Sequence, residues 1–182
     1  MTYRRWVWAA TALFVLGMTL GLVMPSGISN LVTEDLSWLR QLAEFLKPFQ
    51  ITTAIFIFFK NVTSLVSSFI FSPMLLLLPI FALVVNGWLL SYVAAAVVQQ
   101  KSLLFLIAAI LPHGIFELPA IVIGEAAALN FGVAVLSALF FPAKRGALVP
   151  KTKQSLKYLL IAFAFLLPAA IIETYITPLL VG

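Results

Sequence analysis

Apolar side chains fill most of this chain from Trp6 to Thr177, in runs too long for the core of a small soluble domain. A helix that crosses a bilayer takes about 20 mostly apolar residues, and several runs in these 182 residues reach that length. The runs are continuously apolar rather than alternating, which argues against transmembrane strands. Helices are then the way to satisfy every backbone N–H and C=O in lipid. Composition agrees, with 63 % hydrophobic and 9 % charged residues, against about 25 % charged in a typical soluble domain. The chain has no cysteine, which excludes disulfides, thiolate metal sites and cysteine nucleophiles. The expected fold is all-α, a polytopic membrane helical bundle. Residues 1–182 form a single integral membrane domain whose first partner is the lipid bilayer.

Punctuation along the chain divides the bundle. The first span covers about 6–24, ended by Pro25, Ser26 and Gly27. It is longer than a secretory signal core and no small-x-small cleavage pattern follows it, so it reads as an uncleaved span. Gly17 and Gly21 form a GxxxG pair, a candidate packing face. Residues 33–47 place Leu36, Trp38, Leu39, Leu42, Phe45 and Leu46 on one half of a helix, and Glu34, Arg40, Gln41, Glu44 and Lys47 on the other. That pattern predicts an external amphipathic helix. Further spans cover about 50–71, 74–98 and 156–177. Residues 102–141 are almost all apolar, too many for one straight crossing and tight for two. Pro112 and Gly114 in "LPHG" predict a break there, giving a re-entrant half-helix at 103–111 and a crossing at 114–140, five crossings in all.

Charge sets the expected orientation. Lys144, Arg145, Lys151, Lys153 and Lys157 make loop 142–157 cytoplasmic, and Arg4 and Arg5 put the N-terminus on the same side. Two crossings within 102–141 would leave that loop on the wrong side. The expected location is the cell membrane, multi-pass, with the N-terminus cytoplasmic and the C-terminus outside. The net charge of +5 is absorbed by this topology, and no nucleic-acid partner is expected.

The polar residues inside the spans carry the functional question. "LPHGIFELPAIVIGEAAALN", residues 111–130, holds the one histidine of the chain and two of its six acids. At about 100° per residue, Glu117 and Glu125 fall on the same side as Ala120, Gly124, Ala128 and Gly132, a small-residue packing face, with Ile115, Leu118, Val122, Leu129 and Val133 opposite. The acids are therefore expected to point into the bundle. Depth counting groups His113, Glu117 and Glu173 in an outer layer, and Lys60, Asn61, Asn86 and Glu125 in a middle one. It further predicts that Lys60 pairs with Glu125, directly or through Asn61, Asn86 or water.

The block "LPHGIFELPAIVIGEAAALNFG", with "FFKNV" in the second span, "NGW" in the third and "AAIIETYITP" near the end, resembles the signature of the stage II sporulation protein M (SpoIIM) family over essentially the whole chain. The resemblance implies a compact helical membrane protein. The bacterial namesake belongs to an envelope-remodelling complex, where it anchors peptidoglycan-degrading partners, but the family is widespread in organisms that never sporulate. It supplies no established catalytic residues, so none are carried over. The matching polar positions are Asn61, Asn86, His113, Glu117, Glu125 and Glu173.

Three functions compete. The leading one is a non-enzymatic scaffold or subunit of a membrane complex, with a protein partner or a homo-oligomer and polar layers that fix the packing. The second is a transport or channel subunit that uses the intramembrane charges. The third is an intramembrane metal-dependent hydrolase, for which His113, Glu117 and Glu173 are the candidate ligands; one histidine with carboxylates and no HExxH motif is a weak zinc set. No catalytic residue and no cofactor is expected on the leading reading.

Overall fold

A computed structural model describes residues 3–23 and 47–181. The described residues form helices α1 (Tyr3–Val23), α2 (Ile51–Phe71), α3 (Leu77–Gln100), α4 (Leu103–Phe140), α5 (Leu148–Tyr175) and α6 (Thr177–Val181), with a 3₁₀ turn at Pro142–Ala147. Among the described residues, five helices are long and apolar enough to cross a membrane. The amphipathic helix expected at 33–47 lies outside the described residues except for Lys47.

From α2 onward the links are short, so neighbouring spans reverse direction. Ser72–Leu76 joins α2 to α3 with Leu75 and Leu76 in the left-handed region, at φ 58° and 61°. Only Lys101 and Ser102 join α3 to α4, and the Ser102 hydroxyl caps α4 by accepting from the Phe105 N–H at 3.1 Å. The basic 3₁₀ turn and the lysines of early α5 sit at the end of the bundle where α4 finishes, and the contacts of Tyr3 bring Arg4 and Arg5 toward the same end. Tyr3 anchors that end: it donates to the Ile123 carbonyl at 2.6 Å and its ring stacks on Tyr158.

The α4 helix is the centre of the molecule, packed by α1, α2, α3 and α5. Every residue from Gly124 to Asn130 is buried, because a helix surrounded on all sides has no lipid face. The small-residue face Ala120, Gly124, Ala128, Gly132 is buried as its spacing predicts, and lets neighbours approach closely. A Cβ on Gly124 would meet the Leu65 side chain at 2.7 Å, and one on Gly132 would meet the Ser72 carbonyl oxygen at 2.7 Å. Leu129, placed on the lipid side by angle alone, is only 3 % exposed.

A second close contact joins α1 to α3. Gly17 and Gly21 lie against Val84 and Trp88, and Gly87 against Phe14. In each case a Cβ would run into a backbone carbonyl, so the GxxxG pair is a packing face.

One expectation is overturned. The break at "LPHG" is absent, and α4 runs unbroken for 38 residues with Pro112 and Pro119 inside it. The segment 103–111 is its first part, not a separate half-helix. Each proline lacks the N–H that would donate to the carbonyl four residues back. Membrane helices tolerate that where neighbouring helices and local adjustment re-satisfy the freed group. Gly114 does not adopt a positive φ; it is buried within the helix. At about 1.5 Å per residue α4 is about 57 Å long, well beyond a hydrocarbon core of about 30 Å. As one crossing it keeps the odd count that the charge pattern demanded.

Candidate functional site

Toward the end of the bundle where α5 finishes, four helices bring polar groups together. His113 and Glu117 are one turn apart on α4, with His113 Nε2 3.9 Å from Glu117 Oε2. Glu173, in the last turn of α5, completes a group in which one ligand atom from each residue lies within 4.8 Å of the others. All three are half-buried. This spacing allows a single cation to touch all three residues.

The surrounding groups orient these side chains. Asn61 of α2 donates from Nδ2 to Glu117 Oε1 at 3.2 Å, holding one carboxylate oxygen and leaving the other toward His113. His113 Nδ1 lies 3.3 Å from the Thr177 hydroxyl of α6, which leaves Nε2 for the carboxylates. Asn86 does not join them, because its amide donates back to the Ala82 carbonyl of its own helix at 2.7 Å. It lines, with His113 and Glu117, a cavity of about 250 Å³ between α1, α3 and α4.

The middle layer expected from depth counting does not assemble. Glu125 is 1 % exposed and accepts a hydrogen bond from Ser68. Lys60 is exposed on α2 and lies within electrostatic range of Glu173 instead. The register of α2 on α4 explains the difference. Asn61 sits against Glu117, so the residue that reaches Glu125 is two turns further on, namely Ser68. Lys60 also leans toward the N-terminus of its helix, as side chains on helices do, and so away from Glu125.

Several polar contacts escaped the sequence reading. Ser68 is one, although its spacing from Asn61 puts both on one helix face. Thr177 behind His113 is another. A third is the buried pair Asn130 and Ser155, joined at 2.9 Å, with the Asn130 Oδ1 left unpartnered. Serine and threonine are common in membrane helices, and nothing in their identity marks these from the rest.

The stage II sporulation protein M family model matches residues 10–178. The chain belongs to that family. The SpoIIM match takes in α2 to α5 whole and most of α1, so every polar group above lies within it. An uncharacterized protein of Methanocaldococcus jannaschii, MJ0793, is 29 % identical over 171 residues, covering 91 % of this chain and 90 % of that protein. A second from the same organism, MJ0706, is 33 % identical over 101 residues, covering 54 % of this chain and 45 % of its own length. No solved structure matches.

Proposed function

We propose that this SpoIIM protein is a non-enzymatic subunit of a membrane complex, and that it holds the span of a partner protein against one face of α2. The observation that carries the reading is a polar stripe. Lys60, Thr63 and Ser64 are exposed and Ser67 is half-buried, and their spacing of three, four and seven residues puts them on one helix face. Lys60 is near the middle of α2, and Glu173 acts on it only from beyond ion-pair distance. An ammonium left to face hydrocarbon at mid-membrane costs at least about 2.5 kcal/mol, and hydroxyls in lipid add nothing to stability. A partner helix over the stripe removes that cost and gains interhelical hydrogen bonds.

There is room for such a helix. The α2 and α3 helices pack thinly on each other, and the groove between them, about 270 Å³, is lined by Ser64, Ser67 and Ser68 on one side and by Phe81, Val85 and Asn86 on the other. A second copy docked through the same stripe around a two-fold axis would set Lys60 against Lys60. A different span carrying a carboxylate at that depth complements the stripe. The orientation proposed with this reading puts the basic end in the cytoplasm, since Arg4, Arg5, Lys144, Arg145, Lys151, Lys153 and Lys157 gather there.

The test is particle size. Protein extracted gently from native membranes is expected to migrate as a complex larger than the chain in its detergent micelle. The triple variant Lys60→Leu, Thr63→Leu, Ser67→Leu is expected to stay folded and migrate as the smaller particle. Equal migration of the two would contradict the proposal.

A further inference from the structure

We propose that His113, Glu117 and Glu173 form a binding site for one divalent transition-metal cation of the zinc and manganese class, a cation that staples α4 to α5. The donor set is one imidazole and two carboxylates, a combination suited to such ions. It is presented by two helices that pack more extensively than any other pair among the described residues. Zinc bonds to these donors measure about 2.0–2.2 Å, which places tetrahedral ligands about 3.4 Å apart. The present spread of 4.8 Å must close by about 1.4 Å on binding, a movement for which glutamate arms have rotatable bonds.

Two features distinguish the group from a simple polar contact. The first is charge. Two carboxylates from different helices converge here, and among the described residues no lysine or arginine nitrogen lies within 4 Å of either. Lys60 acts on Glu173 only from further away. A dication balances two carboxylates in the partly water-excluded interior of a bundle; without one they repel. The second is the arrangement behind the ligands. Metal-binding histidines have their other ring nitrogen engaged and metal-binding carboxylates are themselves hydrogen-bonded. His113 Nδ1 is engaged by Thr177 and Glu117 Oε1 by Asn61. The free atoms, Nε2 and Oε2, are the two that face each other. The His113 and Glu117 side chains are 14 % and 22 % exposed, and both line the cavity beside α3, so an ion has a way in.

The experiment is a titration of the chelator-treated full chain in detergent with Co²⁺, whose visible ligand-field bands report inner-sphere binding, followed by displacement with Zn²⁺. One Co²⁺ per chain is expected to bind with a new visible spectrum and to raise the Tm. The near-isosteric variants Glu117→Gln and Glu173→Gln, and His113→Ala, are expected to lose the spectrum. Thr177→Val and Asn61→Ala are expected to weaken binding by roughly 10–100-fold, the usual effect of removing a group behind a ligand. Glu125→Gln, which alters a carboxyl held elsewhere by Ser68, is expected to bind as the parent does. No ligand-field spectrum in the parent protein would overturn the proposal. So would an unchanged spectrum in Glu173→Gln and His113→Ala, which would mark adventitious metal. The particle-size test concerns the opposite requirement, a surface on α2, so either proposal can fail without the other.

Discussion

Ser68 donates a hydrogen bond to Glu125, and the two are buried at the centre of the bundle, 1 % exposed each. This contact is the deeper of two rungs between α2 and α4, Asn61 to Glu117 being the other. The rungs fix the axial register of the two helices, and a slip of one turn would break both. A buried polar group that loses its partner costs about 1–3 kcal/mol, whereas replacing both partners by apolar groups can be near neutral. Ser68→Ala is therefore expected to lower stability by that amount, and the double variant Ser68→Ala, Glu125→Leu by less than the two single losses added. Thermal unfolding in detergent reads the difference. Lys60→Met and Glu125→Gln, by contrast, touch separate sites and are expected to add within about 0.5 kcal/mol. A strong coupling between them would contradict the register described here.

The close approach of α1 to α3 gives a second prediction. A Cβ on Gly87 meets the Phe14 carbonyl oxygen, with the Met18 nitrogen next at 3.0 Å. These are backbone atoms that cannot rotate away. Gly87→Ala is expected to cost roughly 1–3 kcal/mol, the usual range for overpacking. Gly114→Ala meets only the Ile110 side chain at 3.5 Å and Leu118 at 4.0 Å, and alanine is the better helix former by about 1 kcal/mol. It is expected to leave the Tm unchanged or raised. A large loss at Gly114 would argue for a broken helix at "LPHG" after all.

Topology gives the third. The chain is free of cysteine, so single cysteines report position without background. A cysteine in the basic turn Pro142–Ala147 is expected to react with a membrane-impermeant reagent only from the cytoplasmic side, and one placed after Leu180 only from outside. Reaction of both from one side would contradict a five-crossing chain.

Much of this architecture was legible in the residues. Apolar run length located the spans, and the four-residue spacing from Ala120 to Gly132 located the packing face of α4. The same counting brought His113, Glu117 and Glu173 to one depth, and they do lie together. What failed were inferences that need the tilt and register of one helix on another. Lys60 and Glu125 share a depth only if α2 and α4 stand straight from assumed starting points. "LPHG" reads as a break by local chemistry, yet α4 runs through it, since a proline removes only one donor and Gly114 is not at positive φ. Leu129 faces lipid by angle, but at its level α4 has no lipid side.

The central claim is that a partner span covers the polar face of α2, and site-specific photocrosslinking in native membranes tests it most directly. A photoreactive residue at Thr63, on the polar stripe, is compared with one at Ile55, which is 49 % exposed on another face of the same helix. The account predicts a discrete protein adduct from Thr63, lost when Lys60 is changed to Leu, and only lipid adducts from Ile55. Lipid adducts alone from both positions would contradict it.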